Sequence, residues 1–230
     1  MNRIGTYPHQ LMQTLAASFR VKNIVITDGF IEYKERNNIS RQSGIIQYHH
    51  VNATIGNFTN DKKAIAVNNV MTIDMNTQFL DKAPLKVSGK FYLRHPQGRF
   101  DLSGTFGAMD ATFLNPVIEK TGLTHIKSGK VNGASFNIQG TDLTADGQVE
   151  LLYEDLKVAA LEKDKGATEL DQKAISSFIV NFVIKNSNPK RNDAPRIAQV
   201  HLDRDPNKSF FNFSWKAIFK GIMETVGLKQ

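Results

Sequence analysis

The chain has 230 residues, 40% hydrophobic and 22% charged, the balance of a folded domain and not of a disordered one. Twenty-nine Lys and Arg against twenty-two Asp and Glu leave a net charge of +7, which favours anionic partners without choosing between nucleic acid, acidic lipid and glycan. The absence of cysteine excludes disulfides and Cys-ligated zinc, and no run reaches the roughly 18 apolar residues of a membrane-spanning helix.

The opening MNRIGTYPHQLMQTLAASF is basic near its start, but His9, Gln10, Gln13 and Thr14 break any signal-peptide core. The expectation is a cytoplasmic protein, or one whose targeting segment lies upstream of residue 1. Residues 8 to 19 read as a short amphipathic helix with Leu11, Met12, Leu15 and Phe19 near one face and Pro8 at its start. Val21 to Glu35 is a β ribbon in which Asp28-Gly29 marks either a hairpin turn or a bulge. Arg36 to Gly44 is a polar connection, and Ile45 to Phe58 resumes the alternation with mixed faces. Thr59 to Lys63 reads as a turn. Ala64 to Leu80 reads as two short strands, with Ile65, Val67, Val70, Ile73 and Met75 as core.

A clean hairpin follows. Val87, Gly89, Phe91 and Leu93 alternate with polar neighbours, His95-Pro-Gln-Gly98 turns, and Phe100, Leu102, Gly104 and Phe106 alternate in return. Gly89 and Gly104, expected to pair, suggest sheet curvature or close approach of a ligand. Ala111 to Gly122 reads as a helix with Pro116 in its first turn. From Ser128 to Leu161 three segments form a meander, with Ala134, Phe136 and Ile138 on one face of the first and Val149 and Leu151 on the matching face of the second. A run of about 11 strand residues spans roughly 35 Å, a ribbon longer than a small enzyme core needs. Glu162 to Gln172 is a charged excursion, Ala174 to Ile184 an apolar strand or helix, Lys185 to Arg196 a basic solvated loop, and Ile197 to Asp203 a further strand.

The segment Ser209 to Leu228 is amphipathic as a helix. Phe211, Trp215, Ile218, Phe219, Ile222 and Val226 form one stripe, opposite Lys216, Lys220 and Glu224. From Lys208 onward four lysines against one glutamate give +3. Burying the six large side chains would be worth roughly 9 to 18 kcal/mol as an upper bound. Such a helix either caps the sheet or lies on a membrane surface or a partner.

No catalytic constellation emerges. The six histidines are dispersed, and the adjacent His49 and His50 would point to opposite faces of a strand. There is no nucleophile elbow and no phosphate loop, and Ser187-Asn-Pro-Lys190 matches SxxK only in a polar loop. Asn38, Asn52, Asn57 and Asn212 head glycosylation triplets that matter only in a secretory pathway that glycosylates. Neither an enzyme nor a cofactor is expected. Nucleic-acid binding is not expected either, because the alternation separates basic from aromatic residues.

Taken in order, VKNIVITDGFIEYKE, GTFGAMDATFLNPVIEKTG, SGKVNGASFNIQGTDLTADGQVELLYEDLKV and SFFNFSWKAIFKGI resemble the C-terminal region of bacterial AsmA-like envelope proteins of the kind found in Bacteroidetes. The resemblance spans nearly the whole chain. It implies a mostly β fold, a long curved antiparallel sheet forming an open groove or incomplete barrel, with a few short helices and a C-terminal amphipathic helix. The single domain would comprise a helical lead-in (1–20), the sheet (21–207) and the helix (208–230). It also implies a periplasmic protein anchored to the inner membrane by a helix upstream of residue 1, with phospholipid moving along the groove between membranes. On that reading Phe91, Leu93, Phe100, Leu102, Phe106, Phe136, Ile138, Val149 and Leu151 line the groove. Phe211, Trp215, Ile218, Phe219, Ile222 and Val226, with Lys216 and Lys220, touch a membrane or another envelope protein. The alternative is an envelope assembly module with a closed core and a partner-docking tail.

Overall fold

The alternating segments become ten strands of one antiparallel sheet in the computed structural model, which describes residues 2–36, 41–122, 124–163, 175–181 and 184–228. In chain order these are β1 (Arg20–Arg36), β2 (Ser43–Thr59), β3 (Val70–Phe79), β4 (Ala83–Tyr92), β5 (Phe100–Phe106), β6 (Met109–Asp110), β7 (Thr124–Gly140), β8 (Thr144–Lys163), β9 (Ile175–Asn181) and β10 (Ile197–Asp203). Their spatial order is β1-β2-β3-β4-β5-β7-β8-β10, with β6 beside β7 and β9 beside β8. The sheet is therefore a meander whose terminal strands, β1 and β10, are not paired with each other, and the expected mostly β, unclosed architecture holds.

The apolar face is built in rows across the strands. One row reads Met75, Val87, Gly104, Phe136, Val149 and Ala198; the next reads Ile73, Gly89, Leu102, Ile138, Gly147 and Val200. Each row carries glycine flanked by larger residues, so a large side chain lies over the glycine beside it. A Cβ on Gly104 would stand 2.5 Å from the Phe136 ring. Gly89 and Gly104 are thus each opposite a large residue, Leu102 and Val87 respectively, and not opposite each other as the hairpin pattern suggested.

Five helical segments cover this face and its ends: α1 (Pro8–Gln13), α2 (Lys62–Val67), a 3-10 turn (Ala111–Leu114) running into α3 (Asn115–Gly122), and α4 (Phe210–Thr225). α1 is shorter than the sequence implied, and Leu11 and Leu15 are exposed while Tyr7, His9 and Met12 are buried. α2 replaces the first of the two strands expected over Ala64 to Leu80. Asp61 caps it by accepting a 2.7 Å bond from the Ala64 amide, which outweighs the short apolar alternation. Asp28-Gly29 is a bulge within one continuous strand: the β1–β2 register shifts on both sides of Gly29, and Asp28 takes φ 51°. The third meander segment is a continuation of β8. Residues 175–181 form a strand, while most of the charged excursion from Glu162 lies outside the described residues.

Two apolar clusters form on the sheet. One gathers Ile46, Tyr48, Phe79, Val117, Val131, Leu151, Tyr153 and Val226 beneath α3. The other gathers Tyr7, Phe91, Phe100, Ile138, Val149, Val200 and Phe213 beneath α1. α4 packs on β8 and β10 yet bonds to Glu35 of β1, the opposite edge of the strand order, so the sheet curls around the helix.

Candidate functional site

α4 begins where the Ser209 hydroxyl accepts a 3.2 Å bond from the Asn212 amide. Its most buried positions are Asn212, Phe213, Ser214, Ala217, Gly221 and Thr225, a stripe of mostly small residues. That stripe is the seat on the sheet. A Cβ on Gly221 would stand 2.5 Å from Val149 and 2.8 Å from Val200, so only glycine allows this approach to β8 and β10. Apart from Phe213, the large residues of α4 are thereby turned away from the seat.

They face a cavity of about 450 Å³ between helix and sheet, within the range of pockets that hold one small ligand. None of its lining residues is charged. Of the strand residues expected there, Phe91, Leu102, Phe106, Phe136, Val149 and Leu151 line it. Leu93, Phe100 and Ile138 do not; they pack in the cluster beneath α1, where Phe100 meets Tyr7 and Phe210 edge-on at 5.8 and 5.0 Å. From α4, Phe211, Trp215, Ile218, Phe219, Ile222 and Val226 all line the cavity, with Trp215 and Phe219 stacked at 5.9 Å. The stripe expected to meet a membrane or partner thus borders the cavity, with Phe211 also exposed. Lys216 is exposed, and Lys220 donates a 2.7 Å bond to the His201 carbonyl.

The sequence reading missed Tyr48, Leu85, Leu114, Ile118 and Met223 as lining residues. Leu114 and Ile118 lie four apart on the 3-10 turn and α3, a helical spacing that signals a buried face. Asn115 fixes that segment by exchanging two bonds with the Ile126 backbone, at 2.8 and 2.9 Å.

Two polar networks lie outside this lining, Tyr153 excepted. Beneath α1 the Arg204 guanidinium pairs with Asp142 at 2.7 Å and lies 4.2 Å over the Tyr7 ring, and Asp142 also accepts bonds from Gln10 and the Gly5 amide. Burial pushes the Tyr7 phenol far above its ordinary range. His9 lies 5.2 Å from the Phe91 ring, 1% exposed, and neither ring nitrogen has a hydrogen-bond partner. Burial lowers its pKa to about 4. In the other network the Tyr153 hydroxyl donates to the Lys185 carbonyl at 2.7 Å and accepts from Arg196 at 3.1 Å, while the buried Asn188 amide holds the Leu151 and Arg196 carbonyls. The basic stretch from Lys185 is therefore tied into the fold.

Across the seam between β1 and α4, Asn212 Nδ2 donates to Glu35 Oε1 at 3.0 Å and to the Tyr33 hydroxyl at 3.3 Å. The Tyr33 hydroxyl donates to Glu35 Oε2 at 3.1 Å, and its ring lies 4.8 Å from that of Phe211. Burial raises the Tyr33 pKa to about 12. Of the apolar side chains lining the cavity, Ile31 and Phe211 are the most exposed, at 38% and 41%. A smaller depression of about 190 Å³ lies beside His50, Asn76 and Lys86.

His50 and His125 each pair with one carboxylate, of Asp28 and Glu119, and His201 pairs with Asp146, all at 2.6 to 2.7 Å, with Asp203 a second partner of His201 at 3.7 Å. Among the described residues no group of three or more His, Asp or Glu is placed to hold a metal ion, and no helix is long and apolar enough to cross a membrane. No family model, curated protein or solved structure matches this chain.

Proposed function

We propose that this domain is a lipid-binding segment of a cell-envelope protein of the AsmA-like type, in which the cavity between α4 and the sheet receives an acyl chain of a phospholipid. The observation that carries this reading is the uncharged lining of a cavity of about 450 Å³ in a protein of net charge +7. A packed core of this size ordinarily leaves few voids larger than a water molecule, and a dry apolar cavity takes an apolar guest. A phospholipid of this kind would leave its head group outside. A periplasmic location and transfer between membranes belong to the same proposal. Membrane contact through the Trp215 stripe would require α4 to leave its seat.

Native mass spectrometry of the purified domain with lipid extraction tests the reading. The intact chain carries phospholipid, and Val87→Trp, which fills the cavity from a half-buried wall position, loses it while keeping its circular dichroism. A lipid-free intact chain that also takes up none from vesicles overturns it.

A further inference from the structure

The fold around the cavity is held unevenly. Beneath α1 it is tied by the buried Arg204–Asp142 pair, and at β8 by the Tyr153, Asn188 and Arg196 network. Among the described residues, the seam between β1 and α4 is joined by two hydrogen bonds from Asn212 and the contact of Tyr33 with Phe211. Among the described residues β1 is an edge strand, paired on one side alone, and most of its residues are exposed. The register with β2 breaks within it, at the Asp28-Gly29 bulge. The two most exposed apolar lining residues, Ile31 and Phe211, stand on either side of this seam.

We propose that the cavity is loaded sideways: one acyl chain of an amphiphile passes between Ile31 and Phe211, its head group stays in water at the seam, and the Asn212–Glu35 bond is the latch over that passage. The head group remains outside because nothing charged lines the interior to receive it. The latch breaks at low cost because its partners are replaced by water in a part-buried site. This inference rests on the cavity being a lipid site.

The chain has no cysteine, so Glu35→Cys with Asn212→Cys supplies a single thiol pair. The two side chains meet end to end, and a short bis-maleimide would join the two thiols. The probe is cis-parinaric acid, offered free in one arm and as a parinaroyl phospholipid in phosphatidylglycerol vesicles in the other. Chain uptake and release are followed by fluorescence. The expected result is uptake by the unlinked variant at least as fast as by the natural chain, and exchange slowed roughly tenfold or more by the link. Asn212→Ala, which needs no chemistry and carries the test if the cysteine pair does not fold, should speed exchange roughly tenfold, the worth of one bond to a charged acceptor. Binding with an exchange rate indifferent to both the link and Asn212→Ala overturns the sideways route and leaves the lipid site standing. Absence of binding in every folded form overturns the lipid site and the route with it. Uptake in one arm alone identifies the source as free fatty acid or bilayer lipid.

Discussion

Gly221 meets Val149 so closely that position 221 has no room for a side chain: a Cβ on the glycine would stand 2.5 Å from the valine's own Cβ. Gly221→Ala raises intrinsic helix propensity by about 1 kcal/mol, yet it should destabilise the protein by about 1 to 3 kcal/mol through overpacking. Urea denaturation checks this. A neutral or more stable variant would mean that α4 is not seated on β8 at this point.

The buried His9 makes stability depend on pH. Its folded pKa of about 4 lies below the ordinary 6.5, so between these values the unfolded chain binds the proton that the folded chain refuses. Stability from this group is complete above pH 6.5 and is lost as pH falls toward 4, by at most about 3 kcal/mol. His9→Phe, which keeps a ring against Phe91, should flatten that slope in thermal melts taken across the window. An unchanged slope would assign it to other groups.

Arg204 and Asp142 have side chains 0% and 4% exposed. Asp142→Ala leaves a buried guanidinium without its carboxylate and should cost about 3 to 5 kcal/mol. Replacing both by apolar residues, Arg204→Met with Asp142→Leu, should cost clearly less than Asp142→Ala alone. Chemical denaturation of the two variants decides, and equal costs would mean that packing rather than charge holds this corner.

The one tryptophan, Trp215, lines the cavity. Its emission should lie to the blue of free tryptophan, and a phospholipid with a brominated acyl chain should quench it. Phe219, stacked on it, gives a control: Phe219→Leu alters the spectrum and preserves the quenching. Quenching by a brominated head group and not by a brominated chain would place the lipid on the outside.

Much of this architecture was legible in the sequence because a strand's period of two is rigid. Phe91, Leu102, Phe136 and Val149 fell on one face by alternation alone, and that face is the one that borders the cavity. Alternation fixes faces but not neighbours, which is why Phe100 and Ile138 were grouped with lining residues although they pack in the cluster with Tyr7 and Phe213. The tail helix was legible in extent but not in orientation. Hydrophobic periodicity weights large side chains, whereas the surface that docks is the small one of Ser214, Ala217, Gly221 and Thr225. The helix over 62–67 was hidden because its start depends on one side-chain bond, from Asp61.

α4 follows all ten strands along the chain, and this order sets a timetable for folding. The sheet's registers join sequence neighbours and close early, but the helix that fills the curl leaves the ribosome after them. Until then Phe136, Val149 and Leu151 have no cover, and the nascent sheet presents an apolar face together with the long unpaired edge of β1, the combination that draws chains into aggregates. The yield of folded protein should therefore fall most steeply for variants that weaken the seat of α4.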